Sequence, residues 1–272
     1  MILRRFAGFV AALCLLAGLA RAGDAELTEL ETALGLPQII AVMQDEGRAY
    51  GADIAQTMLP GGASPRWTAL VNRIYDADKM TAVVSDGFRT AMGDTDTAPL
   101  LAFFHSDTGK EIVRLEVAAR RAFIDESTEA AARVAFLDMP ENDRFLKAVS
   151  EYIDVNELVE FNVVGGMNSN YMFYRGLIEG GAVDMDEAEI LADVWSEEEA
   201  TRSDTREWMF AFLLMAYRPL DVQQIEAYTA LSRTPEGAAL NRALFAGFDR
   251  MYSEISLSLG LATAQMMGGE DL

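Results

Sequence analysis

Leu101-Ala102-Phe103-Phe104-His105-Ser106-Asp107-Thr108-Gly109-Lys110-Glu111-Ile112 and Thr229-Ala230-Leu231-Ser232-Arg233-Thr234-Pro235-Glu236-Gly237-Ala238-Ala239-Leu240 read alike at a spacing of 128 residues. Apolar positions coincide, Phe103 with Leu231 and Ile112 with Leu240. Ser106 falls on Thr234, and each hydroxyl suits a helix N-cap, where it accepts a bond from an otherwise unpaired first-turn N–H. Pro235 suits the first helical position, which needs no N–H. Gly109 and Gly237 fall in the first turn of the next helix, where a missing side chain lets the preceding helix lie close. Each copy therefore predicts a short helix, a sharp corner and a long helix. The spacing continues upstream without a gap, pairing Met80 with Trp208. A duplicated unit of this size predicts two similar helical halves packed together.

Outside the repeat the chain reads as helix throughout. The β-branched alternation that marks strands is nearly absent. Ile40, Met43, Gly47, Tyr50, Ile54 and Met58 step by three or four, as do Leu240, Leu244, Phe248, Met251, Ile255 and Leu259. Ile112, Leu115, Ala119 and Phe123 do the same, and each set lines one helical face. Pro60 to Pro65 and Gly93 to Thr97 are loops, Gly180-Gly181 ends a helix, and Pro219 with Asp221 starts one. Pro140 divides the chain. The expectation is an all-α array of roughly ten helices in two related halves, 23–139 and 140–272.

Residues 1–22 read as a secretory signal peptide. Arg4 and Arg5 precede an uncharged apolar run from Phe6 to Ala20, and Ala20-Arg21-Ala22 offers small residues for cleavage after Ala22. The run is shorter than the ~20 residues that span a bilayer. Cys14, the one cysteine, lies inside it, so the exported chain would hold no disulfide, thiolate catalyst or cysteine–metal site. The segment also takes three arginines and no acid, leaving 19 basic side chains against 43 acidic ones, a formal charge of −24. Such a chain is repelled by nucleic acid and anionic lipid surfaces. The expected address is the periplasm, with no transmembrane segment after cleavage.

Phe103-Phe104-His105-Ser106-Asp107-Thr108-Gly109 and Tyr228-Thr229-Ala230-Leu231-Ser232-Arg233-Thr234-Pro235-Glu236-Gly237 resemble the hairpin of bacterial domain-of-unknown-function family 2059. Its pattern runs aromatic, any residue, Ser/Thr, Pro, any residue, Gly. The first copy departs from it at Asp107, where Pro is usual, and in the second the upstream Tyr is displaced. The resemblance implies an exported all-helical envelope protein and brings no catalytic residues.

Familiar chemistries find little support. A Ser-His-Asp triad would have to pass through His105, the one histidine. That residue sits at a polar corner where the repeat has Arg233. Asp94-Thr95-Asp96 and Asp184-Met185-Asp186 lack the later ligands and the Gly of a calcium loop, and no metal or cofactor site is expected. Gly165-Gly166 lacks a phosphate-loop context and reads as a close helix contact. The acids from Glu187 to Glu199 lie among Ile190, Leu191, Val194 and Trp195, an amphipathic helix with a solvated acidic face. Val164, Asn168, Tyr171 and Arg175 share a helical face with Leu158, Phe161 and Ile178. The expectation is a core stripe whose polar groups form an internal network, or line a cleft between the halves where Asn168, Tyr171 and Arg175, bordered by Tyr174, meet an anionic or sugar-like ligand. The 14 methionines read as adaptable core filler. With few catalytic options left, the leading expectation is a non-catalytic accessory protein that binds an envelope protein or a small ligand. The alternatives are a carboxylate-dependent cell-wall hydrolase or lyase, and a carrier of apolar ligands.

Overall fold

The structure, a computed structural model, describes residues 23–268; the expected signal segment lies outside them. The described backbone is helical, without a strand. A helical stretch at 23–33 leads into twelve helices: α1 (Leu36–Met58), α2 (Pro65–Ile74), α3 (Ala77–Met92), α4 (Ala98–Phe104), α5 (Asp107–Ala122), α6 (Glu126–Leu137), α7 (Arg144–Val155), α8 (Leu158–Glu179), α9 (Glu187–Ser196), α10 (Glu198–Tyr217), α11 (Val222–Ser232) and α12 (Pro235–Met267).

Local chemistry sets most boundaries. Ser64, Asp76, Asp125 and Asp143 each accept a first-turn backbone N–H with their side chains. Asp221 with Gln224 and Asp186 with Glu189 form capping boxes at α11 and α9. Other breaks carry no glycine or proline. Glu157, between α7 and α8, takes a left-handed backbone at φ 51°, and the run from α9 into α10 turns at Glu197. Apolar spacing alone passes over such junctions.

Both corners make the same bonds. Ser106 Oγ accepts the Gly109 N–H at 3.1 Å and donates to the Phe103 carbonyl at 2.6 Å. Thr234 Oγ1 accepts the Gly237 N–H at 3.0 Å and donates to the Leu231 carbonyl at 2.8 Å. A Cβ on Gly109 would lie 2.2 Å from the Phe103 carbonyl oxygen, and one on Gly237 2.0 Å from that of Leu231.

The apolar side chains gather in two clusters. The first joins Trp67, Val84, Phe88, Leu100 and Phe104 to Met251, Ile255 and Leu259 of α12. The second joins Ile112 and Leu115 of α5 to Val149, Ile153, Phe210, Tyr217 and Ile225. The chain therefore crosses over. Helix α5 leaves the first corner to pack in the second cluster, and α12 leaves the second corner to pack in the first. Each cluster draws helices from both sides of Pro140.

Helix α12 is the spine. It packs against α3 where Gly87 meets Gly247; a Cβ on Gly87 would lie 2.9 Å from the Gly247 Cα. On another side it runs parallel to α8, since Phe161 with Phe245, Gly176 with Gly260 and Gly180 with Ala264 keep one sequence offset. The close approach is at Gly176, where a Cβ would lie 2.4 Å from the Leu257 carbonyl oxygen. Gly165-Gly166, read from sequence as the close contact, is not one. A Cβ on Gly166 would meet nothing within 4 Å. The stacked rings of Phe161 and Phe245, 4.6 Å apart, occupy that end of the pair, whereas glycines on both helices let the backbones touch about three turns further along.

Candidate functional site

The α8–α12 contact decides which way α8 faces. Val163, Gly176 and Leu177 are buried, with Phe173 packed against the first cluster. Val164, on the face expected to be core, is 47% exposed, and Asn168 and Arg175 are exposed with it. The expected stripe is one step out of register. Its spacing was helical, but the glycines that choose the contact lie on the neighbouring face.

The four residues singled out there are placed in one region and already paired. Asn168 donates to Asp249 Oδ1 at 3.3 Å. Tyr171 donates to Glu187 at 3.0 Å and Tyr174 to Asp193 at 2.6 Å, both carboxylates belonging to α9. Hydrogen bonding to a carboxylate, with burial and carboxylate charge adding to it, raises both phenol pKa values. Arg175 pairs with Glu179 on its own helix at 2.9 Å. The two tyrosine bonds seat α9 on α8.

Helix α9 is thereby held with one side in and one side out. Its start is fixed by the Asp186–Glu189 box and by the stop of α8 before it. The Ala182 N–H reaches the Leu177 carbonyl and the Gly181 N–H that of Ile178, with Gly181 at φ 77°, a Schellman stop. Ile190 and Val194 are buried. Leu191 and Trp195, one turn apart, are 41% and 64% exposed. Around them the chain holds Asp184, Asp186, Glu187, Glu189, Asp193, Glu197, Glu198 and Glu199, with no Lys or Arg between Arg175 and Arg202. The result is an indole and a leucine standing in water, ringed by carboxylates.

The first corner lies in a stretch that matches a known family. Residues 78–136 match the family model for an uncharacterized protein conserved in bacteria (DUF2059). No curated protein and no solved structure matches the chain. The DUF2059 segment runs from α3 into α6 and includes the Ser106–Gly109 corner; α8 and α9 lie outside it.

Within the DUF2059 segment the structure shows two groups that sequence reading missed. Glu116, on α5, accepts a hydrogen bond from Tyr217 at the end of α10. Tyr217 in turn meets Tyr152 edge-on, and Tyr152 stacks on Tyr228 at 4.7 Å. Burial pushes the Glu116 carboxyl up to about 7, against the Tyr217 bond, which lowers it. Four residues on, Arg120 makes a two-pronged bond to Glu46 of α1, 2.7 Å on each arm, and lies 5.6 Å over the Trp208 ring. Burial opposes its charge, but the Glu46 bond raises its pKa. His105 stands at the corner surface, 3.6 Å from Glu29, with its side chain 46% exposed. Among the described residues no three His, Cys, Asp or Glu side chains converge to hold a metal ion. The described residues also include no helix long and apolar enough to cross a membrane.

Proposed function

We propose that this chain is an exported envelope protein that works by binding, and that it docks a partner protein carrying a basic, apolar-anchored segment on the outer face of α9. One observation carries this reading: Leu191 and Trp195 are exposed side by side on a helix that is fixed in place and ringed by acids. A Trp left mostly in water by folding gains when a partner covers it, and Trp is prominent among interface anchors. The acidic rim selects the sign of the partner and steers its approach. Tyr171 and Tyr174 are positioning residues for α9, and the two corner hairpins are copies of one unit in two related halves that present it.

The test is a titration of the purified protein with a synthetic amphipathic helix bearing lysines around a leucine face. Expected are a blue shift of Trp195 emission and binding that weakens steeply with salt. Trp195→Ala and Leu191→Ser each weaken binding by at least about tenfold, the order expected of an interface anchor. Equal binding by those variants contradicts the reading.

A further inference from the structure

On the side of α12 away from α9's acids, a groove runs between α2, α3 and the second half of α12. Met80, Met251 and Ile255 form its buried floor, and Leu70, Ile74 and Val83 its half-buried walls. Its volume is about 390 Å³. It adjoins a second hollow of about 380 Å³ that shares Leu70 and Arg73 and adds Arg66. The floor is apolar and the mouth is cationic. Arg73 and Lys79 both line the groove, and among the described residues neither holds a carboxylate within 4 Å. On neighbouring helices Arg48, Arg89 and Arg250 each hold one. Glu254, the acid in the lining, already pairs with Arg250 at 3.3 Å.

Among the described residues neither Arg73 nor Lys79 has its charge met by a carboxylate, so both are open to an incoming anion. Two cations left without one at the mouth of an apolar groove match an occupant with an acid head and an apolar tail. A head alone would leave Leu70, Ile74 and Val83 in water. A tail alone would leave the charges at Arg73 and Lys79 without a counterpart. The groove volume falls at the lower end of the range of small-molecule sites, which fits one chain and not the two of a bilayer lipid.

We propose that this groove binds a single-chain amphiphile with an acid head, its tail along Met80, Met251 and Ile255 and its head at Arg73 and Lys79. The site is distinct from the α9 face and independent of it. The test is calorimetric titration of the full exported chain with laurate below its micelle concentration. Parallel arms use dodecyl phosphate, a neutral dodecyl maltoside, acetate, and vesicles of anionic phospholipid. Expected is one laurate or one dodecyl phosphate per chain, the neutral amphiphile at least about tenfold weaker, the worth of one charge-assisted contact, and no binding of acetate or vesicles. The surface variant Arg73→Glu/Lys79→Glu, which touches no core residue, loses laurate binding by at least about tenfold, with its helical circular dichroism and melting unchanged. Equal binding by that variant, equal affinity for the neutral amphiphile, many ligands per chain, or vesicle binding in place of laurate would overturn the assignment.

Discussion

At Glu116 a single carboxyl stands against Tyr217 from α10, with Tyr152 of α7 and Tyr228 of α11 behind it and Arg120 one turn further along α5. Its pKa in the folded chain, about 7, lies above the ordinary value of 4.5 it takes when unfolded. The folded state therefore holds the proton more tightly. Its stabilising effect is complete below about pH 4.5 and is lost as pH rises through 7. All three phenols are pushed upward and stay protonated over that range. Urea unfolding at pH 4.5 and pH 8.5 should differ by up to about 3 kcal/mol on this account, at 1.36 kcal/mol per pKa unit. Glu116→Gln, which keeps an acceptor for Tyr217, should remove most of that difference and be the more stable protein at pH 8.5. An unchanged pH slope in the variant would contradict the assignment. Nothing marked Glu116 among 43 acids by type. One signal was present, since the 128-residue spacing puts Leu244 opposite it, an apolar residue where an acid stands. Its burial is decided by helices a hundred residues away, and local pattern does not carry that.

At the scale of elements the corners were legible because their chemistry is local. A hydroxyl and a glycine three positions on, whose own N–H the hydroxyl accepts, suffice, and both corners use them identically. Thr234→Ala should cost about 1 kcal/mol through the lost cap. Gly237→Ala should cost more, about 1–3 kcal/mol, because the new methyl is driven into the Leu231 carbonyl. Urea midpoints at constant m-value measure both, and the reverse order would mean that the corner relaxes more easily than its backbone contact implies. Helix α8 was legible as a helix but not in its facing. A 3.6 period fixes which residues share a side, and only the neighbour fixes which side is inward. The Gly176–Gly260 contact made that choice. Once α8 is turned, Tyr171 and Tyr174 become the posts that seat α9. Tyr174→Phe should speed hydrogen exchange in α9 while leaving α12 amides protected; equal rates in α9 would show that Ile190 and Val194 alone hold it.

Over the whole molecule the long helices exchange places, α5 packing with the second cluster and α12 with the first. Neither cluster is complete without the other part of the chain, and Arg120 bonds Glu46 of α1 while lying over Trp208 of α10. Unfolding should therefore be one cooperative step. Trp67 reports on the first cluster and Trp208 on the second, so variants keeping either one as the single Trp should give coincident urea transitions; separated midpoints would mean the clusters fold apart. All-α architecture was readable from spacing and punctuation. The crossover was not, because the apolar faces of α5 and α12 fit either cluster by pattern alone. In the proposed function this architecture presents the Leu191–Trp195 face to a basic partner. A photo-crosslinking residue placed at position 195 of the full chain, in its own envelope, tests it most directly, with position 242 on α12 as control. Expected is one major adduct at 195, absent at 242 and lost on Leu191→Asp, whose crosslinked peptide is rich in Lys or Arg. The same adducts at both positions, or an acidic captured peptide, would contradict it.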